Sequence, residues 1–139
     1  MADETNQLRV RLVTPERTLF EHTAQSVELP SKSGYMEVLY GHAPLLAELG
    51  AGDVTLQGGP AGTERYNVNW GFVEVLPDRV TILASDALKP EEIDVQRAEK
   101  QLDHGHELWK QAEESEEAYD EALRIIAEAE AKIASASQH

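Results

Sequence analysis

The 139-residue sequence predicts a β + α chain, with an N-terminal antiparallel β-sandwich over residues 1–87 and a C-terminal antiparallel two-helix hairpin over residues 88–139. Three observations lead there. Through the first part, apolar residues recur in steps of two, which buries one face of a strand and wets the other. Turn residues interrupt these runs every 8–12 residues or so, the spacing of a sandwich or barrel. After Ala84 the apolar period lengthens to three and four, which is helical. Charge divides near the same place. Residues 1–89 carry 12 acidic and 7 basic side chains, whereas residues 90–139 carry 14 and 5 in little more than half the length.

The strands follow in order. Leu8, Val10 and Leu12 alternate with Arg9 and Arg11, and Thr14-Pro15-Glu16-Arg17 ends the run, with Pro15 suited to the second position of a turn. Segments at Thr18–Glu21 and Gln25–Leu29 come next, closed by Pro30 and the loop Ser31-Lys32-Ser33-Gly34. Further strands are expected at Tyr35–Leu39, Leu45–Leu49 and Asp53–Leu56. The tract Gly58-Gly59-Pro60-Ala61-Gly62 connects the last of these to Glu64–Asn69. Phe72–Leu76 and Arg79–Ala84, joined by Pro77-Asp78, complete the β part.

Ser85-Asp86 and then Lys89-Pro90-Glu91-Glu92 read as helix entry, with proline in the first turn and acids at the positive end of the dipole. Ile93, Arg97, Ala98, Gln101 and Leu102 carry helical spacing to about Trp109. A second helix is expected from about Ser115 to Ala134, with Ala118, Ala122, Ile125 or Ile126, Ala129 and Ile133 on one stripe. That stripe is narrow and small-sided, so the hairpin needs a surface to dock on, because helical stability comes mainly from packing an apolar face.

Composition excludes several classes. With 41% apolar and 27% charged residues the chain is globular, and no apolar run is long enough for a membrane span. The absence of cysteine removes disulfides and thiolate zinc sites, and the N-terminus lacks a signal-peptide pattern, which together read as intracellular. A net charge of −14 argues against nucleic acid and anionic lipid as partners. Candidate chemistry is sparse. His104 and His106 stand at i,i+2 and point to different sides of a helix. Asp94 and Arg97, three apart, read as an i,i+3 ion pair. The acidic run from Glu113 to Glu121 reads as a solvated face. No nucleophile elbow, His-Glu-x-x-His or Walker-type loop occurs, so the sequence calls for no catalytic residue, no metal and no cofactor.

Six stretches, in this order, resemble the epsilon subunit of rotary F-type ATP synthases. They are Val13-Thr14-Pro15-Glu16-Arg17, Val27-Glu28-Leu29-Pro30, Gly41-His42-Ala43-Pro44-Leu45-Leu46, Gly71-Phe72-Val73-Glu74-Val75, Val80-Thr81-Ile82-Leu83-Ala84, and Ile93-Asp94 with Arg97-Ala98. The resemblance implies a sandwich of about ten strands, packed near the gamma subunit and the c-ring as part of the central rotor stalk. It further implies a non-catalytic subunit that couples ion translocation to ATP synthesis. Its hairpin would fold against the sandwich or extend along gamma into the catalytic alpha/beta head, inhibiting ATP hydrolysis. The place implied is the cytoplasmic face of the cell inner membrane, held peripherally through the complex with no direct insertion. A free-standing nucleotide-sensing sandwich module is the competing reading.

The same resemblance implies partner-binding residues at Gly41, His42, Ala43, Pro44 and Leu45, with Tyr35 and Glu37 on the approach. Here the chain departs from the family, since Tyr35, Glu37 and Tyr40 stand where an acidic residue, a glycine and a proline are usual. Trp70 likewise follows Asn69 where small residues often precede the glycine. Some family members bind ATP on the hairpin, which would place Ile93, Asp94 and Arg97 in a nucleotide site. His104, Glu128 and Lys132 stand near positions where further arginines are expected, and added carboxylates repel a triphosphate. Weak or absent ATP binding is the expectation.

Overall fold

The structure, a computed structural model, describes residues 6–137. It divides between Leu88 and Lys89 into two compact units. The first contains eight strands: β1 (Leu8–Val13), β2 (Thr18–Ala24), β3 (Ser26–Ser31), β4 (Gly34–Leu39), β5 (Leu45–Leu49), β6 (Gly52–Gly59), β7 (Gly62–Leu76) and β8 (Arg79–Leu88). Their order is β2-β1-β8-β7-β5-β3-β4, with β6 paired to β3 and β7. All pairings are antiparallel except that of β1 with β8.

Eight strands stand where about ten were implied. One reason is that Glu64–Asn69 and Phe72–Leu76 are not separate strands but halves of the 15-residue β7. Trp70 (φ 40°) and Gly71 (φ 141°) bend the backbone there without ending its pairing. Asn69 still faces Asp86 of β8, and Gly71 faces Ala84. Only glycine suits position 71, because a Cβ would run into the Leu83 carbonyl oxygen. The bend lets one strand serve two layers. Its first half pairs with β6 and its second with β5.

Two further boundaries differ from the sequence expectation. Ser85-Asp86, read as helix entry, remains in β8 because the strand continues and Asp86–Leu88 pair with Asn67–Asn69. Pro30, read as a strand end, is buried within β3, where its carbonyl accepts the Gly50 N–H at 2.8 Å. Between the layers lies the core. Leu8, Val10, Leu12, Val73, Val75, Val80 and Ile82 pack in one cluster with Val27, Leu29, Val38, Val54, Leu56 and Val68. Each such side chain contributes about 1.5–3 kcal/mol on burial.

In the second unit, a 3-10 turn at Pro90–Glu92 leads to α1 (Val95–Gln111) and α2 (Glu116–Ser137). The Glu92 carboxylate accepts the Lys89 N–H at 2.8 Å, and Asp94 caps α1 by accepting the Arg97 N–H at 3.1 Å. Helix α1 therefore starts after Ile93, which is held in extended backbone. Ser115 caps α2 by accepting the Ala118 N–H at 3.2 Å. The helices meet at three levels. Gln101 Nε2 donates to Glu128 Oε2 at 3.1 Å, Gly105 faces Ile125 and Ile126, and Trp109 meets Tyr119 edge-on with ring centroids 5.9 Å apart. Among the described residues, no helix is long and apolar enough to cross a membrane.

Candidate partner interface

The predicted site begins on β4 and continues through the loop to β5. Gly41 takes φ 89°, a left-handed conformation that favours glycine, and its N–H donates to the Pro77 carbonyl at 2.7 Å. The next N–H, from His42, turns back to the Leu39 carbonyl at 3.1 Å. The first bond ties the loop to the β7–β8 connection, and the second closes its turn after β4. The His42 ring donates from Nδ1 to the Ala43 carbonyl at 2.6 Å, since a carbonyl can only accept. That leaves Nε2 as the ring's remaining hydrogen-bonding atom. Gly41, Ala43, Pro44 and Leu45 are exposed, and His42 is half-buried.

On β4, Tyr35 is 57% exposed, yet its hydroxyl accepts the Asp53 N–H at 2.9 Å, which pins the ring over β6. Glu37 lies in register with Glu28 of β3, and Glu28 with Thr55 of β6. Two carboxylates directly opposite on paired strands repel each other. Sequence reasoning singled out Glu37 but missed Glu28, whose proximity depends on register.

Beside the loop, an open groove of about 500 Å³ is lined by Ser31, Lys32, Met36, Leu45, Ala47 and Glu48, among others. Lys32 bridges it, with Nζ 3.3 Å from Glu48 Oε2 and its N–H donating to the Glu48 carbonyl at 2.9 Å. The groove gathers Leu45 from the predicted set but not the Gly41–Pro44 loop. Its other walls come from Met36 of β4, Ala47 and Glu48 of β5, and the β3–β4 turn, which sequence reading treated only as a connection.

A second surface was also missed. Phe72 of β7 sits between Glu48 of β5 and Leu83 of β8, and Leu83 in turn neighbours Val13 of β1. Val73 and Ile82, the next residues along, point into the core, so Phe72 and Leu83 stand on the outer face. They are 51% and 49% exposed, and Leu46, further along β5, is 70% exposed. Exposed apolar side chains grouped on one sheet face, here interspersed with Glu48 and Glu74, make this face a candidate for interaction.

On the hairpin, the residues marked for nucleotide lie at the start of α1, with Asp94 and Arg97 exposed. Ile93 is buried, and the Asp94 carboxylate is engaged in capping α1. The Asp94–Arg97 contact is thus to the backbone N–H, not the side-chain ion pair expected from spacing. Glu128 faces Gln101, and the surface around Arg124 is lined by Glu117, Asp120, Glu121 and Glu128. His104 and His106 are both exposed on α1, and no metal-holding group of side chains gathers among the described residues.

Comparison with known proteins gives consistent matches. Residues 7–101 match the family model described as ATP synthase, Delta/Epsilon chain, beta-sandwich domain. The chain is 41% identical over 133 residues to the ATP synthase epsilon chain of Solibacter usitatus, covering 94% of this chain and 96% of that one. It is 47% identical over 91 residues to the epsilon chain of Koribacter versatilis, covering 64% of this chain and 62% of that relative. A chain in the cryo-EM structure of Euglena gracilis mitochondrial ATP synthase, OSCP/F1/c-ring in rotational state 1, aligns over 99% of this chain and 85% of its own, with a TM-score of 0.80. At 19% identity, that likeness is one of fold.

Proposed function

The chain belongs to the ATP synthase delta/epsilon family, and from that premise we propose that it is a non-catalytic central-stalk subunit of an F-type ATP synthase, peripheral to the membrane. The observation that carries this reading is the exposed apolar surface of the β unit, which needs a protein to cover it. Phe72, Leu83 and Leu46 form an outer face suited to the gamma subunit, and the Gly41–Leu45 loop with the Lys32–Glu48 groove is suited to the c-ring. In this role the subunit couples ion translocation to ATP synthesis while the alpha/beta head performs the chemistry. Attachment to the cytoplasmic face of the cell inner membrane would be through the complex.

The hairpin is the regulatory part in this reading, able to leave its folded form and inhibit ATP hydrolysis. Ending the chain after Leu88 tests both halves of the proposal. The truncated subunit should still copurify with gamma and the catalytic head, and hydrolysis by the assembled enzyme should rise. Unchanged hydrolysis would remove the inhibitory role, and failure to assemble would remove the division of labour. A free-standing nucleotide sensor would instead purify alone and bind ATP tightly. Calorimetry on the isolated subunit should give no micromolar ATP affinity, because carboxylates crowd Arg124 and Asp94 is engaged.

A further inference from the structure

We propose that the hairpin carries its own conformational setting in two backbone positions that act in opposite directions: Gly105 permits closure and Glu113 opposes it. The molecular observation is independent of any partner, while its regulatory consequence rests on the function proposed above. Gly105 lies inside α1 and is buried. A Cβ built there would stand 2.7 Å from Ile126 Cγ1, 3.2 Å from Ile125 Cγ2 and 3.3 Å from the Ile126 backbone nitrogen. The first of these atoms is a branch near the backbone and the last is backbone itself. Neither moves aside as the end of a flexible side chain could, so a methyl must push the helices apart. Glycine also weakens α1 itself by about fivefold relative to alanine, a cost the closed hairpin carries for the sake of the contact. Its presence favours the closed hairpin by allowing that contact, and this outweighs the helix propensity that glycine gives up.

Glu113 does the reverse. The connection between the helices spans Ala112 to Ser115, and Glu113 sits there at φ 53°, where residues with a Cβ are disfavoured. Glycine is the usual residue at such a position after a helix. The closed turn therefore holds Glu113 in a strained conformation that separation of the helices would release. Closing is favoured at one end of α1's packed face and opposed at the other. The closed form is consequently poised rather than locked.

The test uses the full chain, which contains no cysteine and so accepts labels cleanly. Spin labels at E99C and E130C lie across from each other by the Gln101–Glu128 register, and both positions are exposed. The open-to-closed ratio is read from their distance distribution along a urea titration. G105A should raise the ratio by about fivefold net, the overpacking outweighing the helix propensity that alanine adds, and E113G should lower it by about tenfold. Adding Ile126→Ala to G105A should recover part of the closed population by removing the nearest obstacle. Trp70 fluorescence, from the other unit, in a Trp109→Phe background checks that the β module stays folded. No shift with G105A, or the same sign of shift for both variants, would overturn the proposal. Opposite shifts in the isolated chain with unchanged hydrolysis by the assembled enzyme would leave the device standing and remove the regulatory reading instead.

Discussion

The two units bury different kinds of side chain. In the β unit the fully buried residues are large and branched, among them Leu8, Leu12, Leu29, Leu56 and Ile82. In the hairpin helices the buried residues are small, namely Ala98, Ala112, Ala122, Ala129 and Ser135 beside a buried glycine, with the larger Ile93 buried just ahead of α1. Large branched side chains interdigitate and resist rearrangement, since each forfeits many contacts on leaving. Alanines contribute little apiece, so a helix pair packed through them can separate at modest cost. Rigidity in one unit and reversibility in the other follow from this choice of residue. The role proposed above, a stalk subunit with a regulatory arm, would have use for both.

The largest effect should come from the β core. Leu29→Ala removes a side chain with no exposure and leaves a cavity, which should destabilise the β unit by about 2–5 kcal/mol. The counterpart in the hairpin is Ala122→Val, where overpacking should cost about 1–3 kcal/mol. Each unit has one tryptophan, Trp70 in the first and Trp109 in the second, so fluorescence follows them separately in the single-tryptophan backgrounds Trp109→Phe and Trp70→Phe. Denaturant titration should show Leu29→Ala shifting the Trp70 transition and Ala122→Val shifting the Trp109 transition. If either substitution moved both transitions equally, the units would not differ in the way their cores indicate.

How much of this was legible in sequence depended on whether a residue's neighbours are local. The alternation of Leu8, Val10 and Leu12 maps directly onto burial, and all three are in the core. Ala122 and Ala129 were likewise readable from helical spacing. Gly71 was not, because its need for glycine comes from Leu83, in another strand. Gly105 escaped for the same reason, since its contact is with Ile125 and Ile126 across the hairpin. Asp94 was placed near Arg97 by spacing, but whether it meets the guanidinium or the N–H depends on where the helix starts. At the interface, the Gly41–Leu45 loop stood out by resemblance to a family. Phe72 and Leu83 did not, because β7 and β8 carry apolar residues on both faces and periodicity alone cannot say which face is outside.

A middle-sized effect should separate binding from stability within the β unit itself. Phe72→Ser changes a half-exposed side chain on the outer face, leaving Val73 and Val75 in place beneath. The Trp70 transition should move by no more than about 0.5 kcal/mol, as surface substitutions usually do. Affinity for gamma, measured by copurification at graded dilution, should fall at least tenfold if this face is covered by that partner, because truncating an aromatic anchor typically removes more than 1 kcal/mol or so of binding. A stability loss as large as that of Leu29→Ala would mean that Phe72 belongs to the core side of the comparison.

The smallest predicted effect concerns charge. Glu28 and Glu37 face each other across β3 and β4, both exposed, in an arrangement that costs a paired strand a few tenths of a kcal/mol. Glu37→Lys turns repulsion into attraction and should stabilise the isolated β unit by about 0.2–1 kcal/mol, read again at Trp70. In the assembled enzyme the sign should reverse if a basic partner side chain is what makes the acidic pair tolerable, and copurification would weaken. Stabilisation in both settings would show the pair to be unused by any partner. The rigid unit would then differ from the hairpin in stability alone, with its binding confined to the apolar face and the loop.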